Sequence, residues 1–66
     1  MKATITSINK IITGKTLKQL QATMTRMLKV DGPRALKANV NTGAEIYVSL
    51  YDGEGYIRTA SGNVIK

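Results

Sequence analysis

Apolar and polar positions follow different rules in different stretches of the chain, and the change of rule marks the elements. Residues 3–12, Ala-Thr-Ile-Thr-Ser-Ile-Asn-Lys-Ile-Ile, are rich in β-branched types and largely polar at alternate positions, which predicts a first strand. The alternation is imperfect. Ile5 and Ser7 share one face while Ile8 falls on the other, so either both faces are partly covered or a bulge resets the register. Gly14 breaks the run, and Thr16-Leu17-Lys18-Gln19 matches a capping box, whose hydroxyl and amide satisfy free backbone N–H groups and so open a helix. Leu17, Leu20, Met24, Met27 and Leu28 then recur within roughly a 100° arc of a 3.6-residue helix, predicting the stripe that meets the core. Asp31-Gly32-Pro33 is the expected stop, since glycine accepts a left-handed backbone and proline cannot extend the ladder.

Beyond the helix the period changes to two. Leu36, Ala38 and Val40 alternate with Lys37 and Asn39; Asn41-Thr42-Gly43 supplies a turn; Ile46, Val48 and Leu50 then alternate with Glu45, Tyr47, Ser49 and Tyr51. Asp52-Gly53-Glu54-Gly55 connects into Tyr56-Ile57-Arg58-Thr59, and Ser61-Gly62-Asn63 is a candidate last turn before Val64-Ile65. No internal repeat or linker interrupts residues 1–66. The expected fold class is therefore α+β: one small domain, a single helix packed on one face of a mostly antiparallel three- to four-stranded sheet, in the order β-α-β-β-β.

Composition narrows the chemistry more than the fold. The 66 residues contain neither cysteine nor histidine, so thiolate metal sites, disulfides and the commonest general base are all missing. Ser7, Ser49 and Ser61 have no histidine to activate them, and no pair of carboxylates is set apart as acid and base. Gly14-Lys15-Thr16 resembles the end of a phosphate-binding loop, but Asn9 stands where that motif requires glycine. Asp52 and Glu54 are too few for a calcium or magnesium cage. An enzyme is not expected, nor is a cofactor or metal. The longest apolar runs are three residues, far short of the ~20 that span a bilayer, so the expectation is a cytoplasmic protein without membrane association. With no Phe or Trp the core must be built from smaller side chains, which leaves room for a homo-oligomer to cover residual apolar surface.

The charge is unevenly placed. Ten Lys and Arg against four Asp and Glu give +6, and residues 1–30 hold Lys2, Lys10, Lys15, Lys18, Arg26 and Lys29 with no acid at all. At 100° per residue Lys15, Lys18, Arg26 and Lys29 fall within about 80° of one another, opposite the Leu and Met stripe. A solvated helix face is the plain interpretation. Yet Lys15 and Lys18 stand near the helix N-terminus, where the backbone dipole disfavours cations, and no acid is supplied for i,i+4 pairing. A ridge that works against its own helix points to an anionic partner, for which a nucleic-acid backbone is the prime candidate.

All three aromatic residues are tyrosines. Tyr47 and Tyr51 are predicted on the sheet face turned from the helix, with Tyr56 and Arg58 beside them on the next strand and Lys37 and Asn39 on the other side. Such a face can stack bases, anchor a protein or a second copy, or simply pair tyrosines across strands. The sequence thus yields two functional expectations. The first is a small basic nucleic-acid-binding or regulatory protein touching phosphates through Lys15, Lys18, Arg26 and Lys29 with little sequence preference. The alternative is a non-enzymatic accessory or inhibitor protein, of the kind phages and mobile elements carry, engaging a protein partner or itself through Tyr47, Tyr51, Tyr56, Arg58 and Lys37.

Overall fold

The computed structural model describes residues 1–31, 34–50 and 55–65. In chain order the elements are β1 (Lys2–Ile5), β2 (Lys10–Thr13), α1 (Leu17–Asp31), β3 (Ala35–Val40), β4 (Glu45–Ser49), β5 (Gly55–Arg58) and β6 (Val64–Ile65). The α+β class holds, with one helix and an antiparallel sheet. The sheet has six strands rather than three or four, in the spatial order β2-β1-β3-β4-β5-β6.

The extra strand at the start comes from residues 3–12, which form a hairpin instead of one strand. Ile5 faces Lys10 across β1 and β2, and Asn9 takes a left-handed backbone at φ 52° to close the loop. That fold-back is what the broken alternation at Ser7 and Ile8 reported: Ile8 is a half-exposed loop residue. Because β1 pairs antiparallel with both β2 and β3, the latter two run parallel with β1 between them. Parallel strands need a long crossover, and α1 supplies it. The extra strand at the other end is β6, which pairs with β5 through the Thr59–Asn63 turn.

Two three-residue loops with glycine at the left-handed position build the later hairpins. Gly43 (φ 95°) donates to Val40 O after Asn41-Thr42, and Gly62 (φ 93°) donates to Thr59 O after Ala60-Ser61. Both turns lie at one end of the sheet, close enough that a Cβ placed on Gly43 would sit 3.0 Å from that of Ala60.

The helix starts where the capping box predicts. Gln19 N–H donates to Thr16 Oγ1 at 3.2 Å, and Lys15 N–H donates to Gln19 Oε1 at 2.8 Å. Leu20, Met24 and Leu28 are buried, with Leu17 and Met27 packed at the margin, against Ala3, Ile5, Ile12, Leu36, Ala38, Val40, Ile46, Val48 and Ile57 from the sheet. Leu50 departs from the expected inward position. β4 ends at Ser49, Leu50 donates its N–H to Arg34 O, and its side chain is 47% exposed while Ser49 is buried. Once the chain leaves the ladder, register no longer dictates which face a side chain takes.

Candidate nucleic-acid interface

The outer face of α1 follows from the inner one. With Leu20, Met24 and Leu28 committed to the core, Lys18, Ala22, Arg26 and Lys29 are turned to solvent, and all four are exposed. Lys18, Arg26 and Lys29, with Gln21, Ala22 and Thr25, line a shallow open depression of about 390 Å³. Ala22 leaves space between the longer side chains, whose alkyl stems wall the depression while the charged heads stay in water. From Lys18 to Lys29 the ridge runs about 16 Å at 1.5 Å per residue, close to five base-pair steps of duplex at 3.4 Å.

None of Lys15, Lys18, Arg26 and Lys29 makes an ion pair with a described residue. The first turn of α1 carries no acid, so Lys18 meets the positive end of the helix dipole uncompensated, whereas Lys29 in the last turn is favourably placed. Lys15 differs from the other three. It precedes the helix, is exposed, and does not line the depression, because the chain departs from helical geometry ahead of the Thr16 cap. Its helical-wheel position therefore does not apply.

The opposite side of the sheet brings together most of the second group of residues. Lys37, Tyr47 and Tyr56 stand in register across β3, β4 and β5, with Asn39, Glu45 and Arg58 in the row beside them. The rings of Tyr47 and Tyr56 stack at 5.3 Å between centroids with 25° between planes, and the Arg58 guanidinium lies 5.4 Å from the Tyr56 centroid. Tyr51 lies outside the described residues. Glu45 was not singled out in the sequence, yet it sits between the two cations of this face, 3.8 Å from Lys37 Nζ and 3.9 Å from Arg58 Nη1. Register was the only signal that could have placed it there, since Glu45 and Arg58 are 13 positions apart in the chain.

The two faces are electrostatically unlike. On the tyrosine face the rings engage each other and the cations share a carboxylate; on the helix the cations have no such neighbour among the described side chains. The depression is too open to enclose a small molecule. Among the described residues no group of three or more carboxylates is gathered where it could hold a metal ion, and no helix is long and apolar enough to cross a membrane. The arrangement defines a class only: a single-helix antiparallel α+β domain with a cationic outer ridge. No protein-family model matches the chain, and no match is found among curated proteins or solved structures.

Proposed function

We propose that the protein binds nucleic acid through the outer face of α1, with Lys18, Arg26 and Lys29 contacting phosphates and Lys15 adding a contact at the approach to the helix. The observation that carries this reading is the set of three cations around one open depression, with no described carboxylate paired to any of them. The contacts are to backbone phosphates, so the affinity is salt-dependent and weakly selective for sequence. Binding to a labelled duplex, followed by anisotropy over a range of salt, tests it. Three engaged cations give a slope of log K against log salt of about −2.7, and four give about −3.6. The double variant Lys18→Glu, Arg26→Glu keeps the fold, because both side chains face solvent, and loses binding. A flat salt response, or unchanged affinity in the double variant, refutes the reading.

The accessory-protein reading retains one specific support, the half-buried Tyr47–Tyr56 stack on a sheet face that α1 does not cover. Tyrosine and arginine are favoured at protein contacts. Tyr47→Ala separates the two: it leaves duplex affinity unchanged under the first reading and removes a protein partner under the second.

A further inference from the structure

The sheet has two edges, and they are not equivalent. β6 is two residues long, whereas β2 offers the four residues Lys10–Thr13. The phase of its ladder is set by Met1 and Gly14, which exchange both backbone bonds, N–H to O, at 2.8 and 3.0 Å. Bonded and non-bonded pairs alternate in an antiparallel ladder, so Ala3–Ile12 and Ile5–Lys10 are the next bonded pairs. Lys2, opposite Thr13, confirms the phase by turning its carbonyl to Asn41 N–H on the β3 side. The N–H and C=O groups of Ile11 and Thr13 therefore point outward from the edge, and no described residue bonds them. Natural edges are blunted by short length, lysine, proline, a bulge or inward charge; Lys10–Thr13 contains no proline, its four residues pair one to one with β1, and its single charge, Lys10 opposite Ile5, repels a cationic strand but not an acidic one. Ile11 is 65% exposed beside these free groups.

Charge selects the occupant. Lys10 begins the strand, Lys15 follows two residues after its end, and no acid lies anywhere in residues 1–30. A second copy of the edge would bring like charges together. A phosphate backbone has no alternating N–H and C=O groups to continue the ladder. We infer that the β2 edge accepts an extended acidic segment of another protein as a seventh strand, bonded to Ile11 and Thr13 and flanked by Lys10 and Lys15. This is strand addition, in which the main chain supplies affinity and the flanking charges supply preference.

The probe is the peptide acetyl-Glu-Ser-Thr-Val-Val-Glu-amide, titrated into the full ¹⁵N-labelled chain at low salt, beside a counterpart with Lys at both ends. The expected result is a shift and slowed exchange of the Ile11 and Thr13 amides, with the acidic peptide binding about tenfold more tightly and most of that advantage lost in high salt. Ile11→Pro removes an outward donor at an edge position that tolerates proline, and abolishes peptide binding while the rest of the amide spectrum and the duplex affinity stay as they were. Lys18→Glu, Arg26→Glu keeps peptide binding, so this inference and the nucleic-acid reading fail separately. The inference is overturned by unmoved Ile11 and Thr13 amides at about 2 mM peptide, a millimolar dissociation constant being the weakest worth considering. It is equally overturned by equal binding of the two peptides, or by a doubled solution mass with those amides already protected in the protein alone.

Discussion

The capping box at the head of α1 offers the most direct test of how this helix is held, because its two bonds can be removed or strengthened one at a time. Thr16→Ala takes away the acceptor of Gln19 N–H, a bond of 3.2 Å at an exposed position. Water partly replaces it, so the cost is about 1 kcal/mol, the middle of the range for losing an N-cap hydroxyl. In a domain of this length that lowers Tm by about 4–8 °C. Gln19→Glu works in the opposite direction. The carboxylate still accepts from Lys15 N–H, and it places a negative charge in a first turn that holds none, adding about 0.3–1 kcal/mol. Thermal and urea unfolding of the two variants at neutral pH reads both effects, and the gain from Gln19→Glu shrinks as salt is raised. Thr16 lies outside the depression, so Thr16→Ala leaves duplex affinity unchanged wherever the protein is folded. If Thr16→Ala differs from the parent by less than about 0.3 kcal/mol, or Gln19→Glu is destabilising, the cap does not anchor the helix and the placement of the ridge loses its footing.

Two further outcomes follow from packing and backbone geometry. Met24 is fully buried under the centre of α1, so Met24→Ala is expected to cost about 2–5 kcal/mol, comparable with the whole stability of so small a core; circular dichroism then shows a largely unfolded chain at 37 °C. Gly43→Ala and Gly62→Ala both place a Cβ on a left-handed residue and are expected to cost about 1 kcal/mol for that strain, but Gly43→Ala costs more, because its Cβ meets Ala60 at 3.0 Å while nothing stands within 4 Å at Gly62. Equal urea midpoints for the two variants would count against the contact between the two turns.

Local physics wrote much of this molecule into its sequence. The helix is legible at its start and along its length, since a capping box and a 3.6-residue stripe each depend on neighbours within a few positions; Gly32 and Pro33 of the expected stop lie outside the described residues. The β3–β4 hairpin is legible too, and so is the grouping of Tyr47, Tyr56 and Arg58 on one face, because a period of two fixes which residues share a face; which of them stand opposite one another is set by the pairing of β4 with β5. The concentration of cations on the outer face of α1 is a property of spacing alone.

What the sequence left open belongs to relations between distant segments. Ser7 and Ile8 break the alternation, but a bulge and a hairpin break it in the same way. Only a partner strand decides between them: β3 takes the far side of β1, so β2 folds back onto the near side and becomes the edge. Glu45 could be seen as a strand residue but not as the carboxylate between Lys37 and Arg58, for those contacts exist only once three strands lie side by side. Periodicity settled which residues of α1 and β3 face water; the order and ends of the strands decided where Leu50 and Ser49 go, which exposed residues are neighbours and which backbone groups remain unpaired, because hydrogen-bond ladders form between segments that the chain itself does not place side by side.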